Sequence, residues 1–224
     1  MKLTWYGHAT FYVEAADGTV IVTDPYNFET SGYAPLDKEA DIVVMSSATD
    51  DFHNNAHLVV RNPVVVNALT VAQSGEPRTE QGITFHAIEA MENVSHREGH
   101  PDQNAMYHFT VDGISVGHMG DVGNALSEGQ LEFFQGTDIL LALAGGYPTI
   151  ALDDLKHVID TVKPKLVIPM HFQTLRLKTN DALWLGDFLS YFDKSEIDFA
   201  GGSTVTLDKA GLPERTRVLL LDNV

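Results

Sequence analysis

The 224-residue sequence contains no cysteine, no basic excess and no long apolar segment. Without cysteine the chain cannot form disulfides, thiolate zinc sites, iron–sulfur clusters or a thiol nucleophile, so any metal must be bound by His, Asp or Glu. Only 14 Lys and Arg stand against 31 Asp and Glu, and the net charge of -17 disfavours nucleic acids and anionic membranes as partners. The longest apolar run, around Ile139 to Ala144, is far shorter than the roughly 20 residues of a membrane-spanning helix.

The chain also shows no targeting segment and no internal division. Residues Met1 to Glu14 lack the apolar stretch and the cleavage site of a secretory signal, which predicts a cytoplasmic protein. No linker, charge block or repeat stands out, and 44% hydrophobic residues suffice for a substantial core. We therefore predict one domain over residues 1–224 that acts on a small molecule, with no sign in the sequence of its oligomeric state.

Short β-rich runs bounded by Gly, Pro, Asp or Asn recur along the chain and predict buried strands. The amphipathic stretch Ala151 to Val162 lies between the last two of them and predicts a strand–helix–strand crossover, hence a mixed α/β fold. The predicted strands are Val20 to Thr23, Ile42 to Met45, Val64 to Val66, Ile114 to Val116, Asp138 to Leu143 and Lys165 to Met170.

Local signals add two helices and two hairpins. Ser127 and Gln130 have the spacing of a capping box and predict a helix start at Ser127. The apolar residues after Thr179, as far as Leu189, predict a further helix. Turn residues at 16–18 and 112–113 predict tight hairpins.

Polar residues that can bind a metal follow four of the predicted strands. Asp24, the segment 50–55, Asp121 and His171 each come directly after, or a few residues after, an apolar run. Because the carboxyl ends of neighbouring strands gather at one edge of an α/β sheet, we expect these groups to converge on a cation. Asp and neutral His suit zinc, whereas carboxylates with carbonyls and water would suit magnesium or manganese.

In this order and at these spacings, several short motifs resemble the metallo-β-lactamase superfamily, in particular its ascorbate-lactonase-like branch. The resemblance covers nearly the whole chain and implies a four-layer αββα sandwich with metals at one edge. The matching segments are 5–10 (WYGHAT), 23–25 (TDP), Asn104, 118–123 (HMGDVG), 145–150 (GGYPTI), 169–172 (PMHF) and 212–213 leading into 218–220.

One family motif is degenerate in this chain. Members of the family usually carry HxHxDH after the strand that ends here at Ser46, but Ser47 and Thr49 stand where the first two histidines are expected. Neutral hydroxyls are poor substitutes for imidazole on zinc. Either Phe52 occupies the place of the third histidine, or a one-residue insertion puts His53 there; we favour His53.

The family's ligands can be carried over position by position. The resemblance implies His96 as the third ligand of the first metal, Asp121 as a shared carboxylate and His171 as the last ligand of the second metal. Asp51, His53, Asp121 and His171 would then complete one site, which predicts a single divalent ion, zinc first and manganese or iron as alternatives. His96 and Asp51 are the predicted catalytic residues.

Structural interpretations of the same residues remain open. Asp51 and His53 could form an exposed turn, Asp121 could satisfy backbone N–H groups, and His171 could be a hydrogen-bonded turn residue. His96 could equally be an acid–base residue, a substrate contact or a remnant. Asp24 resembles a family residue behind the ligands, where a carboxylate orients an imidazole.

The sequence therefore supports two functional hypotheses. The first is a metal-dependent hydrolase, mononuclear, that acts on a small lactone, amide or phosphodiester through a water molecule activated by the metal. The second is a diverged, non-catalytic member of the fold that binds a ligand or a partner protein.

Overall fold

A computed structural model describes residues 1–47, 50–91 and 104–224, and this part of the chain forms two β-sheets and several short helices. The strands are β1 (Lys2–Gly7), β2 (Thr10–Glu14), β3 (Val20–Thr23), β4 (Ile42–Met45), β5 (Val64–Asn67), β6 (Arg78–Glu80), β7 (Ile83–Ala90), β8 (Asn104–Val111), β9 (Ile114–His118), β10 (Ile139–Leu143), β11 (Leu166–Met170), β12 (Ile197–Phe199), β13 (Thr204–Thr206) and β14 (Arg217–Leu220). The α-helices are α1 (Phe28–Ser31), α2 (Ala68–Ser74), α3 (Glu128–Phe133), α4 (Leu152–Val162) and α5 (Leu185–Leu189), and 3-10 turns cover Ala56–Leu58, Lys194–Glu196 and Lys209–Gly211.

Each sheet mixes antiparallel and parallel strands. The first has the order β13-β1-β2-β3-β4-β5 and the second the order β12-β14-β11-β10-β9-β8-β7-β6. Strands β3, β4 and β5 run parallel, as do β9, β10, β11, β14 and β12. The parallel blocks matter for function, because their carboxyl ends point to a common edge in each sheet.

Successive side chains in the strands of the first sheet point to opposite faces and pack into two different apolar cores. In β3 and β4, Ile21, Ile42 and Val44 belong to the main core, which also contains buried residues of the second sheet, while Val22 and Val43 belong to a second apolar cluster. Since neighbouring strand residues point to opposite faces, β3 and β4 are buried on both sides, which explains why these two strands are almost wholly apolar. The main core lies between the two sheets, as a sandwich requires.

Most of the predicted elements are confirmed. Strands β3 and β4 have the predicted bounds, α4 lies between β10 and β11, and Ser127 caps α3 in a capping box with Gln130. The helix predicted after Thr179 is much shorter than expected, since only Leu185–Leu189 is helical. The backbone of Leu183 instead bonds to Gly145 (2.7 Å) and Gln173 (2.8 Å), which holds the preceding segment extended.

Among the described residues, no helix has both the length and the apolar character needed to cross a bilayer.

A stacked histidine pair on the second sheet should make stability depend on pH. His86 and His108 are cross-strand partners with ring centroids 4.8 Å apart, and Phe133 lies against His108 at 4.8 Å. Burial and the neighbouring His86 lower the pKa of His108 from 6.5 to about 4. The unfolded chain therefore takes up a proton that the folded chain does not, and stability falls as the pH drops from about 6.5 to about 4.

We expect His108→Gln to reduce the loss of unfolding free energy between pH 7.5 and 4.5 by about 1–2 kcal/mol, a value discounted for the partial solvent exposure of the ring. Urea denaturation at the two pH values measures it. His157→Gln, on an exposed position of α4, should leave the difference unchanged. Equal pH dependence in all three proteins would contradict the prediction.

Candidate metal centre

Six ionisable side chains gather where the strands end. They reach the site from the β1–β2 turn, from the ends of β3 and β4, and from the segments after β9 and β11. In chain order they are His8, Asp24, Asp50, His53, Asp121 and His171. The convergence expected from the strand ends is therefore present in the structure.

His53 is held from behind by a fully buried carboxylate. Its Nδ1–H donates to Asp24 Oδ2 at 2.8 Å, while the Ser46 amide and hydroxyl donate to the same carboxylate at 2.7 and 2.5 Å. The Tyr107 hydroxyl adds a further bond of 3.2 Å. Although burial alone would raise it, the pKa of Asp24 is lowered by His118 and His53, so this group is ionised. The opposite nitrogen of His53, Nε2, is thereby directed away from Asp24 and left free to act as a ligand.

The front of the site brings His53, Asp121 and His171 together. His53 Nε2 lies 3.8 Å from Asp121 Oδ2, and His171 Nε2 lies 3.1 Å from Asp121 Oδ1. His53 Nε2 is buried, and no hydrogen-bond partner for it is found among the described residues. Two ligands of one tetrahedral zinc, each about 2.0–2.1 Å from the ion, lie roughly 3.3 Å apart. These separations and this unsatisfied atom therefore fit a shared cation.

His8 brings a third imidazole to the same place. Its ring centroid lies 3.8 Å from that of His171 and 5.2 Å from that of His53, and one ring nitrogen from each of the three lies within 4.8 Å of the others. Burial and the neighbouring histidines lower the pKa of His8 well below its ordinary value, so its ring is neutral. Its Nδ1 is buried and has no hydrogen-bond partner within residues 1–47, 50–91 and 104–224, as expected of an unused ligand atom.

A second possible ligand group overlaps the first. Asp50, His53 and Asp121 also place one ligand atom each within 4.8 Å of one another. His53 and Asp121 therefore stand at the centre, with His8 and His171 on one side and Asp50 on the other. A cation bound by this set would have imidazole and carboxylate ligands only, in keeping with the absence of cysteine.

Without a metal, the carboxylates of the site favour protonation of His53. Burial disfavours the charged form of His53, but Asp121 and Asp24 outweigh it and raise its pKa to about 10. The pKa of Asp121, which burial would raise, is lowered by His171 and His53. The carboxylates thus create a strong preference for positive charge at Nε2 of His53, which a divalent cation would satisfy.

Three residues of the site have left-handed backbone conformations that are unusual outside glycine. The φ angles are +48° at His8, +36° at Asp24 and +56° at His171. Such conformations cost of order 1–3 kcal/mol each and occur most often at functional sites. The packing also leaves no freedom behind His171, because a Cβ on Gly145 would lie 2.0 Å from the His171 carbonyl oxygen.

Two further polar residues position the ligands. His118 is buried, accepts from the Gly120 amide at Nδ1 (2.9 Å) and donates from Nε2 to the Ala9 carbonyl oxygen (3.0 Å), so both its nitrogens are engaged. Asn104 Oδ1 accepts from the Asp121 amide at 3.0 Å and holds the turn that carries this carboxylate. His118 therefore supports the site without being available as a ligand.

The structure brings His53, Asp121 and His171 together and leaves Asp51 outside this cluster. Asp51 is exposed and belongs to neither ligand group of the described residues, whereas its neighbour Asp50 belongs to one. The carbonyl of Asp51, not its carboxylate, is tied inward, by a 2.5 Å bond from the Asn55 amide. Of the two alternatives for the third histidine, His53 is the buried residue in the site and Phe52 lies beside His8.

Only some of the other positions named in the sequence analysis lie within the described residues. His96, predicted as a catalytic residue, and Thr49 lie outside the described residues. Ser47, which stands where the family's first histidine is expected, is fully buried and forms a β-bridge with Asn104. Sequence reasoning included His8 only as part of the motif at 5–10, which was the available signal for its place in the site.

A small pocket of about 120 Å³ opens onto these side chains. Its floor contains His8, Asp121 and His171, and its wall contains both acidic and apolar residues. The wall is formed by Asp50, Phe52, Pro148, Leu177, Thr179, Asp181 and Ala182. The ligand group is therefore accessible to a small molecule.

Comparison with known proteins agrees with this geometry. A family model described as "Beta-lactamase superfamily domain" matches residues 2–171. A Salinibacter ruber protein named a metal-dependent hydrolase is 25% identical and aligns over 92% of this chain and 100% of its own length. A Methanoculleus marisnigri protein of the same name is 29% identical over 189 residues, 78% of this chain and 82% of its own.

A solved structure is similar over the full chain. It is a Thermotoga maritima protein described as a proposed Zn-dependent hydrolase of the metallo-β-lactamase superfamily, 32% identical, with a TM-score of 0.77 and coverage of 100% of this chain and 99% of its own. A metallo hydrolase from Ignicoccus hospitalis, 22% identical with a TM-score of 0.57, shares the fold.

Proposed function

Because this chain belongs to the metallo-β-lactamase superfamily, we propose that it is a metal-dependent hydrolase with one divalent cation, which acts on a small lactone, amide or phosphodiester. The observation that carries the proposal is the buried Nε2 of His53, which faces Asp121 and has no hydrogen-bond partner in the part of the chain that the structure describes. An unsatisfied buried nitrogen of this kind costs stability unless a ligand or ion occupies the space in front of it.

The donor set favours zinc. His53, Asp121 and His171 supply imidazole and carboxylate ligands, and His8 supplies a third imidazole where the family's first two histidines are missing. Neutral imidazoles select zinc over magnesium and calcium, while manganese and iron accept the same ligands. The relatives' names, which refer to metal-dependent hydrolysis and in one case to Zn, support the same assignment.

Each protein group has a role that follows from its surroundings. A bound divalent cation would lower the pKa of water towards neutrality and polarise the scissile bond. Asp24 fixes the tautomer of His53 and keeps Nε2 directed at the site. Asp50 lines the pocket and is placed to accept a proton from the attacking water. His96 stays a predicted acid–base residue.

The proposal is tested by metal content and turnover together. Protein purified without added metal should contain about one zinc, manganese or iron per chain, and chelation followed by re-addition should abolish and restore hydrolysis of a simple lactone or ester. The alternative of a non-catalytic binding protein predicts the same fold with no metal, or with metal and no turnover. Absence of metal under metal-replete conditions would overturn the hydrolase proposal.

A matched pair of variants tests which carboxylate acts. We expect Asp50→Asn to reduce kcat/KM by about 10–100-fold, because the pocket loses a carboxylate beside the ligands, and Asp51→Asn to change it less than about twofold. The reverse order of effects would restore Asp51 as the functional residue.

A further inference from the structure

The charged side chains that line the pocket are mainly carboxylates. Its lining contains three carboxylates, Asp50, Asp121 and Asp181, and among the described residues that form it there is no lysine or arginine. A divalent cation would balance two of the three negative charges and leave one, on a chain whose net charge is -17.

Among the described residues, the two cationic side chains that lie close in sequence to the lining do not change this balance. Lys178 precedes the lining residue Thr179, but its ammonium donates to the Glu29 carbonyl oxygen at 2.6 Å and is held outside the lining. Arg176 is exposed and does not belong to the lining either. A substrate with a carboxylate or phosphate would therefore find no cationic side chain to pair with among the described lining residues.

Four of the ten residues that line the pocket are apolar. Phe52, Pro148, Leu177 and Ala182 contribute to the wall, and the space of about 120 Å³ admits only a small group. A neutral acyl or lactone group can bury apolar surface here without desolvating a charge, whereas an anion would lose hydration and meet carboxylates.

We propose that this pocket selects electrically neutral or cationic small substrates and rejects anionic ones, and that Asp181 is a residue that sets this specificity. The inference rests on the proposed hydrolase function and narrows it, since neutral lactones, esters and amides are favoured over phosphodiesters. Asp181 is the natural candidate because it is exposed at the rim, away from the ligand groups around His53. Its charge is therefore free to act on an approaching substrate.

Tryptophan quenching measures the local potential without any need for turnover. Trp184 is 53% exposed and pairs through its backbone with Gln173, two residues after His171, whereas the only other tryptophan, Trp5, is 2% exposed. Quenching of the metal-replete protein by iodide and by caesium at constant ionic strength therefore reports on the rim of the pocket. We expect Asp181→Asn to raise the iodide quenching constant by about 1.5–2-fold and to lower the caesium constant.

Asp160→Asn provides the matched control, because it removes the same charge on α4, outside the pocket lining. It should leave both quenching constants within about 10% of the unmodified protein, since screening limits the reach of a distant exposed charge. Equal responses of the two variants would overturn the role of Asp181.

Turnover tests the same inference with an isosteric pair of esters. p-Nitrophenyl valerate is neutral, and mono-p-nitrophenyl glutarate has the same chain length but ends in a carboxylate. We expect the neutral ester to have a kcat/KM at least about tenfold higher at low ionic strength, with the ratio narrowing at 0.5 M salt and in Asp181→Asn. An anionic ester that reacts as fast as the neutral one would overturn the proposal.

The two proposals fail separately. In one case neither ester is hydrolysed, but Asp181→Asn raises the iodide quenching constant and lowers the caesium constant. The proposal that the pocket rejects anions then stands, and the hydrolase proposal fails for esters. If both esters are hydrolysed without discrimination and the quenching constants do not respond, the hydrolase proposal stands and the charge selection fails.

Discussion

Replacing His171 with alanine is expected to weaken zinc binding by about 10²–10³-fold and to lower hydrolysis by a similar or larger factor. Binding of structural zinc yields about 10–16 kcal/mol, so one ligand of four contributes about 3–4 kcal/mol. The His171 ring reaches within 3.1 Å of Asp121, and alanine removes it while keeping the backbone bond from the His171 amide to the His8 carbonyl oxygen (3.2 Å). The loss is therefore that of a ligand and not of the turn.

Competition with a zinc indicator measures the affinity, and His157→Ala is the control because His157 is exposed on α4. The control should bind zinc with unchanged affinity. His171→Ala protein that is folded by circular dichroism and binds zinc as tightly as the unmodified chain would contradict the placement of the ion.

Replacing Asp24 with asparagine is expected to lower the unfolding free energy by about 3 kcal/mol and the zinc affinity by about 10–100-fold. Asp24 is fully buried, and its two oxygens accept four hydrogen bonds, from the Ser46 amide and hydroxyl, His53 and Tyr107. An asparagine offers only one oxygen and sets an amide against donors, which leaves buried donors unpaired. Loss of the support behind His53 also frees the ring to turn away from the site.

The two effects are separable by experiment. Urea denaturation of metal-free protein gives the stability loss without the contribution of bound metal, and zinc titration of the folded variant gives the affinity. Asp17→Asn serves as a control, because Asp17 lies in the exposed β2–β3 turn and bonds only locally, to Thr19. The unfolding free energy of Asp17→Asn should stay within about 0.5 kcal/mol of that of the unmodified protein. If Asp24→Asn lowers the unfolding free energy by no more than this, the hydrogen bonds around Asp24 do not stabilise the fold as we expect.

The frame of the fold could be predicted from the sequence because its signals are local. The apolar runs 20–23 and 42–45 are flanked by turn residues, and both appear as strands with the predicted bounds. The capping box at Ser127 likewise depends on two residues three positions apart. The helix after Thr179 was wrong in extent because long-range backbone bonds of Leu183 overrode a favourable apolar pattern.

The candidate site could be located but not completed from the sequence. Strand ends indicated His53, Asp121 and His171, because parallel strands bring their carboxyl ends together. Which of Asp50 and Asp51 faces the site depends on the orientation of one turn, in which the Asn55 side-chain amide, four residues on, donates to the Asp51 carbonyl oxygen. The role of His8 depends on how its turn meets the segment after β11, where the His171 amide donates to the His8 carbonyl oxygen, and the motif at 5–10 does not specify this long-range contact.

Both sheets contribute residues to the site. His8 and His53 come from connections of the first sheet, whereas Asp121 and His171 follow strands of the second. A bound ion would therefore link the two sheets to each other. The chain has no cysteine, so no disulfide can form this link. Because a ligand present at about a thousand times its dissociation constant adds about 4 kcal/mol to stability, scarcity of the metal would deplete the folded protein itself along with its chemistry.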